Sequence, residues 1–185
     1  PDILKTDGKY LYVIANSTVY IISAYPAEDA KILTTISLNE NQTPRNLFIK
    51  EDNLAIITQE YIYRTYLERD YESSSVEDDE SREKMVSGSS YDYWQDTTTT
   101  QVTVFDVSSK DDPIQINAIQ MQGYYSSARL IEDYMYIVTT HYEYEPVLYE
   151  EEGSLYKPKI MVNGIDQELA LTDIYYIDSP VTSKT

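Results

Sequence analysis

A two-part β pattern that returns three times along the chain constrains the fold more than any other feature of the sequence. In each copy a short strand leads into a turn with an acidic residue, and a second strand of alternating apolar residues follows. The second strands begin near Tyr10, Leu54 and Met135. No stretch long enough for a stable helix has an apolar stripe at helical spacing. The sequence therefore predicts an all-β chain.

The spacing of the copies gives the size of the repeating unit. Leu11 and Leu54 stand 43 positions apart, within the roughly 40–45 residues of an antiparallel four-stranded propeller blade. Leu54 and Met135 stand 81 positions apart, nearly twice that distance, because a segment is inserted between them. We predict a first blade at 1–45, a second at 46–123 with an insertion at 60–99, and an incomplete third at 124–185 with an insertion at 142–172. A closed propeller needs at least about four blades, so we expect about two and a half blades of a larger propeller.

The two insertions differ from the blades in composition. Residues 60–99 carry 11 acidic and four basic side chains and few aliphatic ones, so we expect them outside the core and mobile across 71–90. The second insertion opens with the acidic run 143–152 and contains Asn163-Gly164 between alternating apolar residues. Because Asn-Gly favours the two-residue turn of a β-hairpin, we predict a protruding hairpin at this position.

Four phrases of the sequence match one family pattern. They are the opening PDILKTDGKYLYVI at 1–14, the blade connections at 24–31 and 105–113, and the tail at 173–180. With these phrases the chain resembles a family of secreted β-propeller proteins of archaea and bacteria that is distantly related to WD40 repeats. The resemblance implies an exported, surface-exposed protein and carries over no catalytic residue. The glycine–histidine and tryptophan–aspartate signatures of WD40 blades are absent, so the partner rules of those proteins do not transfer.

Charge and composition exclude several classes of function. The chain has 32 acidic and 14 basic side chains, and its net charge of −18 disfavours nucleic acids and anionic membrane surfaces. Without cysteine there is no disulfide, thiol nucleophile or cysteine-bound metal, and the apolar runs are far shorter than the roughly 20 residues of a membrane span. The single histidine, His141, ends a predicted strand, and no Gly-x-Ser-x-Gly motif supports a catalytic triad. We predict no catalytic residue.

Carboxylates are abundant, and they leave two alternatives open. Paired acids at strand ends could serve an exported hydrolase, and the candidates are Asp7, Asp52, Asp106 and Asp133. Acids in repeated turns more commonly bind nearby backbone amides, and we favour that role here. Contiguous acids in the first insertion could hold calcium in a structural module, and these are Glu77, Asp78, Asp79 and Glu80. They lack the alternating spacing of a calcium loop, so we favour a solvated charge run and predict no other cofactor.

The 20 tyrosines of the chain suggest a binding surface. Alternating aromatic residues suit half-buried strands, but several clusters fall within the insertions. Because such side chains supply contact area at low entropic cost, we predict that they form a recognition surface or anchor the insertions to the blades. The candidates are Tyr91, Tyr93, Trp94, Tyr142 and Tyr144. Asn16 and Asn41 begin two Asn-x-Thr sequons in predicted turns, where an exported chain could be glycosylated.

These observations favour a non-enzymatic extracellular or cell-surface module that binds a protein or a glycan. We expect no nucleic acid partner and no membrane span in this chain. Unpaired strands at the blade edges are expected to pair with another copy of the chain or to be covered by an insertion. The exported hydrolase and the calcium-dependent structural module are the alternatives.

Overall fold

The computed structural model describes residues 4–63, 96–141 and 158–175. Within these ranges the chain forms twelve β-strands, two short 3-10 turns and no α-helix, so the all-β prediction is confirmed. The strands are β1 (Leu4–Thr6), β2 (Tyr10–Ala15), β3 (Thr18–Ser23), β4 (Lys31–Ser37), β5 (Gln42–Lys50), β6 (Asn53–Tyr63), β7 (Asp96–Asp106), β8 (Ile114–Gln122), β9 (Tyr124–Ile131), β10 (Tyr134–Thr140), β11 (Ile160–Val162) and β12 (Ile165–Gln167). No helix in this described part of the chain is long and apolar enough to cross a membrane.

The strands form three antiparallel sheets. The first contains β1 to β4 in chain order, the second contains β5 to β8 in chain order with β11 and β12 added beyond β8, and the third pairs β9 with β10. Strand β5 contacts β1 on one side and β9 on the other, so the first strands of the three sheets are neighbours. Successive propeller blades have this arrangement, and we call the sheets blade one, blade two and blade three. The blade architecture predicted from the repeats is confirmed.

Two hydrophobic cores lie between the blades, one on each face of blade two. The first contains Tyr12 of blade one together with Leu54 and Ile56 of blade two. The second contains Ile57 of blade two, and Ile137 of blade three packs against it. Successive residues of a strand point to opposite faces, so β6 contributes to both cores. Its uninterrupted apolar run is the pattern expected of a strand that is buried on both sides.

Strands β6 and β7 are longer than the sequence indicates. They pair without a register shift along their whole length, from Asn53 opposite Asp106 to Tyr63 opposite Asp96. The predicted insertion boundaries at 60 and 99 are therefore wrong, because four residues at each end belong to the sheet. The polarity of threonines 97–100 points to a loop, but the branched Cβ of threonine favours an extended strand whatever its polarity.

The predicted Asn163-Gly164 hairpin is present, but it does not protrude. This two-residue turn joins β11 to β12, with φ at 50° for Asn163 and 80° for Gly164. Strand β11 pairs with β8 of blade two along Ile160 to Val162. The predicted protruding position is wrong. The edge of β8 presents backbone N–H and C=O groups, and β11 forms hydrogen bonds with them that only water would otherwise form. The expectation that an insertion covers a blade edge is confirmed at β8.

Gly123 fixes the connection between β8 of blade two and β9 of blade three. Its N–H donates to the Thr98 carbonyl at 2.8 Å, and its carbonyl accepts from the Thr100 hydroxyl at 2.8 Å. Its φ of +103° is a conformation that favours glycine. A Cβ at this position would lie 2.8 Å from the carbonyl oxygen of Thr140. Backbone conformation and close packing therefore both require glycine here.

We predict that Gly123→Ala lowers the free energy of unfolding more than Gly8→Ala does. Gly8 also has a positive φ of +96°, but a Cβ there meets nothing within 4 Å, so Gly8→Ala reports conformational strain alone, about 1 kcal/mol. Gly123→Ala adds the clash with Thr140, for an expected total of about 3 kcal/mol or more. Urea-induced unfolding followed by circular dichroism measures both losses. Equal losses in the two variants would contradict the prediction.

Candidate binding face

Lysines bind two of the acidic turns at one end of the blades. Lys110 donates to Asp52 at 3.0 Å and lies over the Tyr10 ring, 5.4 Å from its centroid, which links blade two to blade one. Lys50 forms an ion pair with Asp133, which links blade two to blade three. These contacts place the β1–β2, β5–β6 and β9–β10 turns at the same end of the molecule. We call this end the turn face.

Asp7 binds nearby backbone amides in its turn, as was predicted. Its Oδ1 accepts from the N–H groups of Lys9 at 3.0 Å and Tyr10 at 2.8 Å, and its Oδ2 accepts from the Tyr12 hydroxyl at 2.9 Å. Burial opposes the ionisation of Asp7, but these hydrogen bonds outweigh it and lower its pKa. Burial and the bond to Asp7 raise the pKa of Tyr12. The pair connects the turn face to the core between blades one and two.

The other strand-end acids have different partners. Asp52 and Asp133 bind lysines rather than backbone amides, which differs from the role predicted for these two turns. Asp106 accepts from the N–H of Ser108 at 2.8 Å, and this bond lowers its pKa. A lowered pKa is the reverse of what a general acid needs at neutral pH. His141 is half-buried just after β10, and residues 4–63, 96–141 and 158–175 contain no cluster of three or more His, Asp or Glu that could hold a metal.

We predict that Tyr12→Phe destabilises the protein by about 1 kcal/mol at pH 7, and by progressively less as the pH falls below the ordinary aspartate pKa of 3.8. The Tyr12 hydroxyl donates to the ionised Asp7 and helps to lower its pKa in the folded state. The loss is at the low end for a charged hydrogen bond because Asp7 is exposed. A lowered folded-state pKa stabilises the fold above the unfolded pKa, and this stability is lost as the pH falls through the folded-state value. Urea titrations across this pH range measure the difference.

Tyr20→Phe serves as the matched control for this pH dependence. Tyr20 lies on β3, and its hydroxyl has no hydrogen bond to a carboxylate in the described part of the chain. We expect the effect of Tyr20→Phe to stay constant with pH. A loss in Tyr12→Phe that was equally constant would show that the bond to Asp7 does not contribute.

The end opposite the turn face carries both sequons and the starting points of both insertions. We call it the insertion face, and it comprises the β2–β3 turn, the β4–β5 connection and the ends of β6 and β10. Asn16 lies in the β2–β3 turn with a φ of 55°, and Asn41 lies in the β4–β5 connection. Both are exposed, as an acceptor for glycosylation must be. Glycosylation itself stays a prediction.

Tyrosines gather on the insertion face where blade two meets blade three. The rings of Tyr61 and Tyr124 meet edge to face with their centroids 6.2 Å apart. Arg45 donates to the Tyr61 hydroxyl at 3.0 Å. Asn46 Nδ2 donates to the Tyr125 hydroxyl at 3.0 Å. We call these five residues the tyrosine seam.

A β-bulge places Arg45 in the seam. The register of β5 on β6 shifts between Pro44 and Asn46, which leaves Arg45 as the extra residue. Nearby on β6, Gln59 is buried, and neither its Nε2 nor the Nε of Arg45 has an acceptor within the described ranges. Buried N–H groups are normally satisfied, so this is an unusual polar site. The one signal in the sequence is Pro44, because proline within a strand commonly marks a bulge.

The candidate residues in the insertions lie outside the described residues. They are Tyr91, Tyr93, Trp94, Tyr142, Tyr144, Glu77, Asp78, Asp79 and Glu80. Their roles in recognition and calcium binding stay predictions, as does the mobility of 71–90. The structure does show where their segments leave the blades, which is after Tyr63 and after His141, at the insertion face.

The repeated sheets define a β-propeller protein. A family model described as "Beta propeller domain" matches residues 1–185, and the chain belongs to this family. The resemblance to propeller proteins seen in the sequence is thereby confirmed. Neither the curated proteins nor the solved structures contain a match to the chain.

Proposed function

We propose that this propeller chain is a non-enzymatic extracellular or cell-surface module that binds a protein or a glycan through its insertion face. The tyrosine seam carries this proposal. It brings tyrosine rings, an arginine and an asparagine together at the junction of two blades, and Tyr61 is 38% exposed. Tyrosine and arginine supply a large share of the binding energy at many recognition surfaces.

The seam residues are held in place before any partner arrives. Tyr61 is fixed at its hydroxyl by Arg45 and at its ring by Tyr124, while Tyr125 is fixed by Asn46. Side chains that are already ordered lose less conformational entropy on binding. This supports a role for the seam as a binding surface with a fixed shape.

Charge narrows the kind of partner. The chain carries a net charge of −18. Residues 60–99 carry 11 acidic and four basic side chains, and the inserted part of this segment leaves blade two after Tyr63, beside the tyrosine seam. This field repels an anionic polymer, but it does not repel a neutral glycan or a protein with a basic patch. The resemblance to secreted propellers and the two exposed sequons on this face support an extracellular location.

The hydrolase and calcium alternatives have less support. Asp7 and Asp106 have lowered pKa values, and Asp52 and Asp133 are paired with lysines. Asp7 and Asp106 are therefore poorly suited to act as a general acid at neutral pH, and the carboxylates of Asp52 and Asp133 are already bound to lysines. The acids considered for calcium are contiguous, and contiguous side chains on an extended chain point in alternating directions.

We predict that the labelled chain binds saturably to intact cells of its source organism. The variant Arg45→Ala/Tyr61→Ala should bind at least about tenfold more weakly, because two central contact residues are removed. Flow cytometry over a concentration series measures both affinities. Periodate or protease treatment of the cells then separates a glycan from a protein partner.

Tyr175→Ala is the control for loss of a tyrosine ring. Tyr175 is 92% exposed and belongs to none of the seam contacts, so this variant should bind like the original chain. Circular dichroism confirms that each variant keeps its fold. Absence of saturable binding, or equal binding by the seam variant, would refute the proposed function.

A further inference from the structure

The docked hairpin builds a groove on the flank of blade two. Strand β11 extends the sheet beyond β8, and the groove runs over the outer strands beside the β11–β12 turn. It has a volume of about 330 Å³. Its lining includes Gln101, Gln115, Gln120, Met161, Asn163 and Gly164. A cavity of this volume is large enough for a small ligand.

Hydrogen bonds orient the inner amides of the groove. Gln42 Nε2 donates to Gln101 Oε1 at 3.2 Å, and Gln101 Nε2 donates to the Thr103 hydroxyl at 2.9 Å. Gln120 Nε2 donates to a threonine hydroxyl of β7 at 2.9 Å. In the described part of the chain, the Oε1 of Gln120 and the side-chain amide of Gln115 make no hydrogen bond. These groups are available to a ligand, and both donors and acceptors are among them.

The hairpin is fixed as one wall of the groove. Asn163 Oδ1 accepts from the N–H of Ala118 at 2.8 Å, and the N–H of Asn163 donates to the carbonyl of Ala118 at 2.8 Å. Met161 stands opposite Gln120 in the strand register. It adds an adaptable apolar surface beside the amides. The groove therefore combines polar groups and a hydrophobic side chain on three paired strands.

The uncharged lining of the groove selects the class of ligand. Among the residues that the structure describes, no charged side chain lines the groove, although the chain carries a net charge of −18. An anionic ligand would meet the negative field without a cation to bind it, and a cationic ligand would find no carboxylate. Amides both donate and accept hydrogen bonds, as sugar hydroxyls do, and Met161 offers a contact to the C–H face of a sugar ring. We propose that this groove binds a neutral oligosaccharide.

This proposal goes beyond the proposed function, because it concerns a separate surface. Gln101 adjoins Val102 on β7, and Val102 belongs to the core that faces blade three. Neighbouring residues of a strand point to opposite faces, so the groove lies on the other face of blade two. The tyrosine seam lies on the side of blade three. The two surfaces can therefore be altered independently.

We predict that at least one neutral trisaccharide from a panel of maltotriose, cellotriose and tri-N-acetylchitotriose binds in the groove. Binding should shift the side-chain amide NMR signals of Gln115 and Gln120 saturably. The variant Gln115→Ala/Gln120→Ala should raise the Kd at least about tenfold, because the available hydrogen-bonding groups are removed. Gln167→Ala is the matched control, since the Gln167 amide bonds the carbonyl of Ile165 on its own strand, and it should leave the Kd unchanged.

Three results would overturn the proposal. They are no saturable shift with any member of the panel, unchanged affinity in Gln115→Ala/Gln120→Ala, or loss of trisaccharide binding in Tyr61→Ala, which would place the sugar at the tyrosine seam. Backbone NMR signals away from the groove show whether each variant is folded. Saturable cell binding that depends on the seam would persist if the groove proposal alone failed, so the two failures are distinguishable.

Discussion

The burial of strand β6 on both faces is the constraint on which the other packing in the structure depends. Leu54 and Ile56 enter the core with blade one, while Ala55 and Ile57 enter the core with blade three, and all four are buried. A sheet can bury an apolar face only against another layer, so the blades on either side both need blade two as their partner. The strand accordingly has no polar face over this run. The relative positions of Asp7, Asp52 and Asp133 and of the tyrosine seam follow from these two packed faces.

Around these cores the two ends of the blades are built differently. At the turn face, acids are paired with lysines or with backbone N–H groups, as Asp7 and Asp52 illustrate. At the insertion face, blades two and three meet through the Asn46–Tyr125 hydrogen bond and the Tyr61–Tyr124 ring contact, and two buried N–H groups have no acceptor among the described residues. The Tyr61 ring is partly exposed at this face, and tyrosine and arginine side chains supply much of the binding energy at many recognition surfaces. This difference, and not the number of acids, is the reason for placing the binding function at the insertion face.

The parts of the fold that could be predicted are those encoded by neighbouring residues. Alternation within each strand and the Asn163-Gly164 turn depend on a few consecutive positions, and both are present in the structure. The pairing of β11 with β8 could not be predicted, because it joins segments that are far apart in the sequence and no local pattern specifies the partner. The ends of β6 and β7 were missed for another reason. Threonines 97–100 combine loop-like polarity with strand-like branching, and pairing with β6 decides between the two.

The groove shows why polar site residues are harder to recognise than tyrosines. Gln115 and Gln120 resemble ordinary solvent-facing residues of an outer strand, and they become lining residues only when a hairpin from the third repeat is added beside them. A hairpin that served only to cover the edge of β8 would need no more than its backbone ladder. Here the side chain of Asn163 also binds the backbone of Ala118, and Met161 stands opposite Gln120. The three-residue pairing of β11 with β8 thus covers the edge of the sheet and also forms the wall of the groove. As a result, a polar face of β8 that would otherwise be solvated becomes one side of a concave surface.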